Sequence, residues 1–544
     1  MRVAEALGRT VAQLGVRACF GLVGSGNFHL VNAMRAGGVR FVATRHETGA
    51  VTMADAYARA SGRLSVASVH QGPGLTNAMT GLAEAAKSRT PLLLLAAEAN
   101  SPLSNFFIDV ERLATGAGAL HRRLARPETA AQDLADAAQV AFGERRTVLV
   151  SIPLDAQAAE CEAPETPDAL RPPNPRPPSD GDVEAAARLL AAAQRPLILA
   201  GRGAVLSNAR QTLERLAGQT GALLATSAVA KGLFEGSPWD LGISGGFASP
   251  VAADLIRESD LIVAFGASLN MWTTSRGHLI GAEARIVQVD EARQSLGAHR
   301  PIDLGVEGDC ELTAREVSAA LGSHSSTGRH TEELAGRIRH GGWREQPFED
   351  ISGDGQIDPR TLTIALHGLL PSERTLAVDS GHFMGWPPMY MDVPDGGAFV
   401  FTQSFMSIGL GLATGIGAAV ARPDRLTVIA LGDGGALMSL PELETLGRLG
   451  LDALVVVYND AAYAAEVHHF APENAPMDTV RFPDTDFAAL ARSVRLEGAT
   501  VRSLDDLELV RDWLDRGRPR PLLIDAKVTP AVVAGWLEEA FRGH

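Results

Sequence analysis

The architecture is indicated most directly by the stretch VIALGDGGALMSLPELETLGRLGLDALVVVYND, which runs from Val428 to Asp460. Apolar β-branched runs at its two ends predict buried parallel strands, and the segment between them has helical spacing. A strand–turn–helix–strand unit brings both strand ends to the same edge of a sheet, where open α/β sheets bind ligands. We therefore expect Asp433 and Asp460 to lie near each other, beside a glycine turn. This arrangement suits a divalent cation that carries phosphate oxygens.

Length, charge and cysteine content restrict the class of protein. The chain has 544 residues, 46% of them hydrophobic, and at roughly 100–200 residues per domain this indicates about three domains. Its formal net charge of -15 argues against a nucleic-acid-binding surface, which needs basic patches. The three cysteines are far apart and suggest a reducing, cytoplasmic compartment. The N-terminus lacks a signal-peptide pattern, and the apolar runs are too short to cross a membrane.

Two segments divide the chain into three units. Residues 161–182 are so rich in proline that we expect an extended connector. Residues 322–358, approximately, are polar and carry only a short helical pattern. Each unit contains apolar strands followed by helical patterns, which predicts the α/β class with three doubly wound parallel-sheet domains. The expected domains are 1–160, 183–322 and 358–530.

The GDG motif at 432–434 becomes informative in combination with residues downstream of it. Alone it is weak, because Asp-Gly is an ordinary turn. With Asn459 and Asp460, it resembles the signature of the thiamine-diphosphate-dependent enzymes of the acetolactate synthase, pyruvate decarboxylase and benzoylformate decarboxylase group. That signature is GDG, a span of similar length and a pair of asparagines. The resemblance covers essentially the whole chain and implies the domain order pyrimidine-binding, central, diphosphate-binding.

The resemblance implies a Mg²⁺ site in the third domain, formed by Asp433, Asp460 and the main-chain carbonyl of Ala462. Asp460 replaces the second asparagine of the family, so we expect a more negative site whose oxygen ligands still suit Mg²⁺. For His382, an ordinary loop position is as good an explanation as contact with the diphosphate. The other residues that the resemblance assigns to the cofactor are Gly381, Met406, Ile408, Gly432, Gly434, Gly435, Asn459 and Tyr463.

Glu47, in the stretch TRHETGAV, is the expected activating acid. A glutamate in the first turn of a helix complements the helix dipole, and this alone would explain the residue. In the resembled family, however, a glutamate in an RHE context contacts the aminopyrimidine ring of the cofactor. That role requires a buried carboxylic acid that keeps its proton near neutrality.

Ile408 aligns with the large apolar residue that separates the two cofactor rings in the family. The carbonyl of Met406 and the N–H of Ile408 would bind the edge of the pyrimidine. A core residue before a glycine-rich helix is the alternative explanation for Ile408.

On the substrate side, Ser25 and His70 fall where benzoylformate decarboxylase-like enzymes place polar catalytic residues. An imidazole titrates in the useful range, although His70 is also explained by a bond to the backbone. Glu466 matches an acid of pyruvate decarboxylases, and a solvated helix face would explain it equally well. Trp272 stands where acetolactate synthases have an acceptor-binding arginine, and Ile108 where they have a glutamine. Tryptophan cannot form the bidentate contact of arginine with a carboxylate.

We therefore expect an enzyme that decarboxylates a 2-oxo acid on thiamine diphosphate and Mg²⁺ and ligates the product to a carbonyl acceptor. The resemblance implies a homodimer or homotetramer in which Glu47 and Asp433 of one site come from different chains. The alternatives are a simple 2-oxo acid decarboxylase of the benzoylformate decarboxylase type, a flavin-dependent oxidase of the pyruvate oxidase type, and a non-catalytic cofactor-binding subunit. The GRGAV segment is only a fragment of a dinucleotide fingerprint and leaves FAD binding open.

Overall fold

The computed structural model describes residues 1–537 of the chain. These residues contain three six-stranded sheets in which neighbouring strands are parallel. In the first sheet Leu92 and Leu94 face one apolar core, whereas Leu93 and Leu95 face another. A strand that is buried on both faces is apolar at successive positions, as this one is. The prediction of three doubly wound parallel-sheet units of the α/β class is confirmed.

The first unit contains residues 1–158 and has six strands and eight α-helices. Its strands are β1 (Ala18–Gly21), β2 (Arg40–Ala43), β3 (Ser65–Val69), β4 (Leu92–Glu98), β5 (Leu120–Arg123) and β6 (Thr147–Pro153). Its helices are α1 (Val3–Gln13), α2 (Phe28–Ala36), α3 (Glu47–Ser61), α4 (Pro73–Asn77), α5 (Met79–Lys87), α6 (Val110–Gly116), α7 (Ala130–Gly143) and α8 (Leu154–Ala158). The strand order is β2-β1-β3-β4-β6-β5.

The second unit is another parallel sheet with helices. Its strands are β7 (Pro196–Ala200), β8 (Leu223–Thr226), β9 (Asp240–Ile243), β10 (Leu261–Phe265), β11 (Arg285–Asp290) and β12 (Leu304–Glu307). Its helices are α9 (Asp180–Ala192), α10 (Arg202–Leu206), α11 (Arg210–Thr220), α12 (Pro250–Arg257) and α13 (Cys310–Leu321), and α14 (Glu332–Arg339) follows in the second connector. The strand order is β12-β11-β10-β7-β8-β9.

The third unit contains the GDG stretch. Its strands are β13 (Arg374–Val378), β14 (Phe399–Phe401), β15 (Leu426–Gly432), β16 (Ala453–Asn459), β17 (Glu497–Val501) and β18 (Leu522–Lys527). Its helices are α15 (Pro359–Leu369), α16 (Trp386–Tyr390), α17 (Gly411–Ala421), α18 (Asp433–Met438), α19 (Glu442–Leu449), α20 (Ala464–Phe470), α21 (Phe487–Ser493) and α22 (Glu508–Asp515). The strand order is β14-β13-β15-β16-β18-β17.

The first and third units share one topology, a relation that the sequence does not display as a repeat. Each sheet has its second strand at one edge, and its third strand is followed by two helices, α4 and α5 or α18 and α19. The helices after the second strands, α3 and α17, pack against each other. A Cβ at Gly417 of α17 would lie 2.2 Å from the carbonyl oxygen of Met53 in α3, so only glycine permits this approach. A single apolar core therefore joins the two units.

The two connectors contain little regular secondary structure, as their composition predicts. Residues 162–179 contain no helix or strand, and the second connector contains the single α-helix α14. No helix within residues 1–537 is both long and apolar enough to cross a lipid bilayer. Short 3₁₀ helices occur at Ala228–Ala230, Ser275–Gly277, Arg293–Ser295, Trp343–Glu345, His382–Gly385, Ala471–Glu473 and Asp505–Leu507.

Candidate active site

The two aspartates of the GDG stretch lie at one edge of the third sheet. Strands β15 and β16 are neighbours, with Gly432 paired to Tyr458, so Asp433 and Asp460 both follow the carboxyl ends of adjacent strands. Burial raises the pKa of Asp433 to about 6. Burial, followed by repulsion from Asp433, raises the pKa of Asp460 to about 7. The backbone N–H of Ala462 partly offsets the effect on both groups.

This donor set fits a magnesium ion that is shared with a phosphate. Mg²⁺ is commonly bound by one or two carboxylates, with waters and ligand phosphates completing the octahedron. No cluster of three or more His, Cys, Asp or Glu side chains suited to a metal occurs among residues 1–537. The ion would therefore have two carboxylate ligands, Asp433 and Asp460, and would depend on other oxygens for the remaining positions.

Asn459 has a supporting position in the structure. Its side-chain Nδ2 donates to Oδ1 of Asp525 at 2.9 Å and to Oδ1 of Asp484 at 3.2 Å, and its Oδ1 accepts from the N–H of Ala461 at 3.2 Å. Lys527 forms an ion pair with the same Asp525, at 2.9 Å. The side-chain amide of Asn459 thus hydrogen-bonds within the edge of the sheet and holds the loop that carries Asp460.

Asp525 and Lys527 support the site, although the motif does not include them. The signal that could have found them is the charged pair in the otherwise apolar strand LLIDAK, Leu522 to Lys527. Both side chains are buried, with 0% and 6% exposure. Buried charges occur in pairs because burial of a single charge is costly.

The glycines after β15 make room for side chains of the site. A Cβ at Gly434 would lie 2.6 Å from the ring of Tyr463, and a Cβ at Gly435 would lie 2.4 Å from Oδ2 of Asp379. Tyr463 itself packs edge-on against Phe482, with the ring centroids 4.8 Å apart. These two positions therefore require glycine for packing. The backbone N–H of Gly434 acts on the Asp433 carboxyl and lowers its pKa, against the effect of burial.

The loop between β14 and α17 carries Met406 and Ile408. Met406 has a φ of +59°, which is unusual for a residue with a side chain. The N–H of Gly409 donates to both carboxylate oxygens of Asp379 at 3.1 Å. Burial raises the pKa of Asp379 to about 6, although several backbone N–H groups act in the opposite direction. Met406 and Ile408 are each 41% exposed, so the apolar residues expected against the cofactor lie at the surface of a single chain.

His382 is held by the C-terminal segment. It follows Gly381, whose φ of +137° favours glycine, and its Nε2 accepts from the N–H of Ala534 at 3.0 Å. Its ring stacks on that of His468, with the centroids 4.4 Å apart. Burial, with a smaller effect of His468, lowers the pKa of His382 to about 3. The neutral ring that accepts at Nε2 carries its proton on Nδ1, which leaves one donor for an anion.

Glu47 is the first residue of α3 and is buried, with 7% exposure. The side-chain amide of Asn77 donates to its Oε2 at 3.1 Å. His46 caps the helix through Nδ1, which accepts from the N–H of Thr48 at 3.2 Å. Sequence reasoning missed Asn77, although it ends the GPGLTN stretch that follows β3.

Ser25 and His70 are brought together at the edge of the first sheet. Oγ of Ser25 lies 3.2 Å from Nε2 of His70, and Nδ1 of His70 lies 2.9 Å from the carbonyl oxygen of Gln71. A carbonyl can only accept, so Nδ1 carries a proton, and in the neutral ring Nε2 accepts from the serine hydroxyl. Phe106 packs edge-on against the imidazole, with the centroids 5.4 Å apart.

The remaining predicted residues lie in different surroundings. Glu466 is half-buried in the first turn of α20. Trp272 lines a cavity of about 560 Å³ between the three units, which Met406 and Arg202 also line. Ile108 packs against the core shared by the first and third units. Ile108 and Trp272, the two departures from acetolactate synthases, are thus accommodated separately, one in the core and one at the cavity.

The site residues form two groups within one chain. One group, at the edge of the first sheet, contains Ser25, Glu47 and His70, and the other surrounds Asp433 and Asp460. Within residues 1–537, no hydrogen bond joins a side chain of one group to a side chain of the other. The two groups are therefore not joined by direct side-chain hydrogen bonds in the described part of the chain.

Three family models match successive parts of the chain. They describe the N-terminal TPP binding domain, the central domain and the C-terminal TPP binding domain of thiamine pyrophosphate enzymes, and they match residues 1–124, 183–317 and 379–526.

Several curated proteins are similar over most of their length. An acetolactate synthase large subunit from Parasynechococcus marenigrum is 28% identical over 96% of this chain and 87% of that protein. A sulfoacetaldehyde acetyltransferase from Castellaniella defragrans is 28% identical over 93% of this chain and 89% of that protein. A probable 2-ketoarginine decarboxylase from Pseudomonas aeruginosa is 30% identical over 93% of this chain and 90% of that protein.

A solved structure shows the same fold. It is a thiamine diphosphate-dependent 4-hydroxybenzoylformate decarboxylase from Rhodococcus jostii, with a TM-score of 0.81 and 20% sequence identity. The similarity covers 97% of this chain and 99% of that chain, so it includes all three units.

Proposed function

Since the chain belongs to the thiamine pyrophosphate enzyme family, we propose that it uses thiamine diphosphate and Mg²⁺ to decarboxylate a 2-oxo acid and to ligate the remaining carbon unit to a carbonyl acceptor. The observation that carries this proposal is the pair of Asp433, which is buried, and Asp460, which is partly buried, since two carboxylates at one sheet edge suit a cation that bridges to phosphate. Two of the similar proteins are by name a synthase and an acetyltransferase, which supports transfer to a second molecule.

The chain supplies groups for each part of the cofactor. When bound, thiamine diphosphate supplies a ring that stabilises the negative charge left by loss of CO₂. Glu47 would hold a proton at its carboxyl group next to the pyrimidine, and Asn77 would fix the orientation of that carboxyl. Met406 and Ile408 would position the pyrimidine edge and separate the rings.

The contact between Ser25 and His70 can move a proton near the substrate. A hydroxyl proton and an imidazole nitrogen at 3.2 Å form one hydrogen bond through which a proton can shift. The bond from Nδ1 to the carbonyl of Gln71 fixes the ring orientation. General acid–base groups of this kind typically contribute about 10²–10⁴-fold to a rate.

The same contact favours a second candidate function, simple decarboxylation with release of an aldehyde. In that reaction the pair would protonate the carbon unit that remains after loss of CO₂, and no acceptor would be needed. A flavin-dependent oxidase is a weaker candidate. It rests only on the GRGAV segment, of which Arg202 and Gly203 line the interdomain cavity.

Trp272 bears on the choice of acceptor. Its aromatic ring offers apolar surface and no bidentate partner for a carboxylate. We therefore expect pyruvate to serve as donor, with acetolactate formed less selectively than by a biosynthetic acetolactate synthase. Aldehydes and bulkier partners should also be accepted.

A competition experiment tests the proposal. Purified protein with thiamine diphosphate and Mg²⁺ is given a panel of 2-oxo acids, with pyruvate, 2-oxobutyrate and benzaldehyde competing as acceptors. CO₂ release is measured and the products are resolved by chromatography and mass spectrometry. Ligated products that include an aldehyde-derived one are expected. Strong preference for 2-oxobutyrate as acceptor would favour an ordinary biosynthetic acetolactate synthase. Release of aldehyde alone would establish a simple decarboxylase. Absence of turnover would point to a non-catalytic subunit. A flavin absorbance with oxidase activity would establish the oxidase.

A further inference from the structure

A buried glutamate of the third unit holds the loop that precedes Glu47. Oε1 of Glu442, at the start of α19, accepts from the backbone N–H groups of Arg45 and His46 at 3.0 and 2.9 Å. Its Oε2 accepts from the hydroxyl of Thr445 at 2.7 Å. Glu442 is only 2% exposed. The two N–H groups that it binds belong to the two residues directly before Glu47.

A buried glutamate of the first unit holds the loop that carries Met406. Oε1 of Glu84, on α5, accepts from the N–H of Ser404 at 3.0 Å, and its Oε2 accepts from the N–H of Phe405 at 2.6 Å. Oε1 also pairs with Arg59, at 2.7 Å. Glu84 is fully buried. Its two N–H partners directly precede Met406, the residue with positive φ.

The two contacts are equivalent in the shared topology of the two units. Helix α5 is the second helix after the third strand of the first sheet, and α19 is the second helix after the third strand of the third sheet. Each glutamate binds the loop between the second strand of the other sheet and the helix after it, α3 or α17. The arrangement is therefore reciprocal, and each unit fixes a functional loop of the other.

The partner of Glu84, Arg59, joins the two units more firmly. Its guanidinium contacts Asp55 at 2.8 Å and donates to the carbonyl oxygen of Phe401 at 3.0 Å, at the end of β14. Three side chains thus bind the backbone of the Met406 loop. Arg59 binds the carbonyl of Phe401 near the start of the loop, and Glu84 binds the two N–H groups directly before Met406. Asp379 binds the N–H of Gly409 after Met406. Hydrogen bonds to charged groups contribute more than neutral ones, and a buried N–H group that loses its acceptor is costly.

We propose that Glu84 and Glu442 form a reciprocal pair of positioning residues, in which Glu84 sets the place of the Met406–Ile408 loop and Glu442 sets the place of Glu47. The inference rests on the proposed function, because it assigns the first loop to cofactor binding and Glu47 to cofactor activation. Neither glutamate touches the cofactor in this proposal. Each acts through the backbone of a loop in the other unit.

Positions 84 and 442 differ in whether a glutamine could satisfy the hydrogen-bond partners of the native glutamate. At position 442 one oxygen accepts from both backbone N–H groups, and the other faces a hydroxyl that can also accept. A glutamine amide therefore satisfies every partner of Glu442, in agreement with the raised pKa that burial gives this carboxyl. At position 84 both oxygens accept from N–H groups, so any glutamine orientation turns its NH₂ group toward a donor.

The test uses Glu84→Gln, Glu84→Ala, Glu442→Gln and Glu442→Ala in the full-length protein. Cofactor affinity is measured by circular dichroism of added thiamine diphosphate at saturating Mg²⁺, and kcat and KM for the 2-oxo acid are measured at saturating cofactor. Both Glu84 variants should raise the Kd for the cofactor about tenfold or more, because at least one charged hydrogen bond is lost. Glu442→Ala should lower kcat about tenfold or more with little change in cofactor Kd, and Glu442→Gln should restore wild-type kcat.

Two control variants remove side-chain contacts with the same loops and leave the backbone bonds intact. Lys87→Ala, on α5, removes the ammonium group that lies 5.7 Å from the centre of the Phe405 ring. Glu444→Gln, on α19, weakens the ion pair with the Arg45 side chain at 2.6 Å. Both controls should behave as wild type in cofactor Kd and kcat.

The outcomes separate this inference from the proposed function. If wild-type protein binds the cofactor and the Glu84 and Glu442 variants behave like the controls, the positioning inference is wrong and the proposed function still stands. A parallel fall in cofactor affinity, kcat and melting temperature in all four variants would show a merely structural role and would also overturn it. Wild-type protein that does not bind the cofactor would overturn the proposed function. If an alanine variant fails to fold, the comparison of Glu84→Gln with Glu442→Gln still tests the inference, because only Glu84→Gln should differ from wild-type protein.

Discussion

Asp433 and Asp460 show how two single residues set the behaviour of a site. Asp433 is buried and Asp460 is partly buried, both have a raised pKa, and part of the rise at Asp460 comes from its neighbour. A metal ion must displace the protons of its ligands, so metal affinity falls as these carboxylates become protonated. At the proposed metal site, Asp460 in place of asparagine would therefore add negative charge and sensitivity to pH.

We expect Mg²⁺-dependent cofactor binding to weaken as the pH falls through the pKa values of about 7 and about 6. The sign follows from competition, since protons and the cation share the same carboxylates. Asp460→Asn should be tolerated and should confine the pH dependence to the lower transition, whereas Asp433→Ala should abolish Mg²⁺-dependent binding. Titration of the cofactor at several pH values measures this. Normal binding by Asp433→Ala would contradict the proposed metal site.

For Glu47 we expect that Glu47→Gln keeps the fold and the cofactor affinity but loses most of the activity. The amide can accept the hydrogen bond from Asn77, yet it cannot exchange a proton with the pyrimidine. General acid–base roles contribute about 10²–10⁴-fold, so activity above about a tenth of wild type would show that Glu47 is not the activating acid. Steady-state rates are compared with cofactor binding measured on the same preparation.

At the scale of elements, the packing of α3 against α17 places the two loops that are proposed to contact the cofactor, because each loop leads directly into one of these helices. The close approach depends on Gly417, since a Cβ there would overlap the carbonyl of Met53. Glutamates on α5 and α19 then fix the two loops from the opposite unit.

Gly417→Ala should lower the melting temperature, with a cost of about 1–3 kcal/mol in the free energy of unfolding, because overpacking forces the helices apart. Gly218→Ala is the matched control. It replaces a glycine inside α11 with no neighbour within 4 Å of the added Cβ. The control should raise stability by about 0.5–1 kcal/mol through helix propensity. Equal melting temperatures for the two variants would show that the contact of α3 with α17 is not tight.

At the scale of the whole molecule, exposed apolar residues lie in both units that are proposed to hold the cofactor. Met406 and Ile408 of the third unit and Phe106 and Phe107 of the first are each more than 40% exposed in a single chain. Exposed apolar patches of this kind mark interaction surfaces. A two-fold dimer would bring the first unit of one chain to the third unit of its partner and so complete two sites.

Mixing inactive Glu47→Gln and Asp433→Ala proteins tests this arrangement. In a mixed dimer one site combines both defects, and the other combines an intact glutamate with an intact aspartate. Random exchange of equal amounts should therefore restore about a quarter of the wild-type activity per chain. Exchange is followed with differently tagged chains. Confirmed exchange without recovery of activity would show that each chain builds its own site.

The sequence by itself determined the elements and the local chemistry. Apolar runs of the right length predict the strands around GDG, and the position of Asp433 and Asp460 at adjacent strand ends follows from the geometry of a parallel unit. The RHE context and the first helical turn placed Glu47, and the positions of Ser25 and His70 suggested a pair that the structure brings within 3.2 Å. These features depend on residues that are near in the chain or at equivalent strand ends.

Only the tertiary structure decided which distant groups support the site. The bonds of Glu442 to Arg45 and of Glu84 to Phe405 join residues 397 and 321 positions apart. The spacing of apolar residues along the sequence does not predict such a contact, because the contact depends on how two complete units pack. The motif predicts that Asn459 binds the cofactor, and only the structure shows that its side-chain amide donates to Asp525 and Asp484. Local patterns specify which elements form, and the burial of polar groups between packed elements specifies their partners.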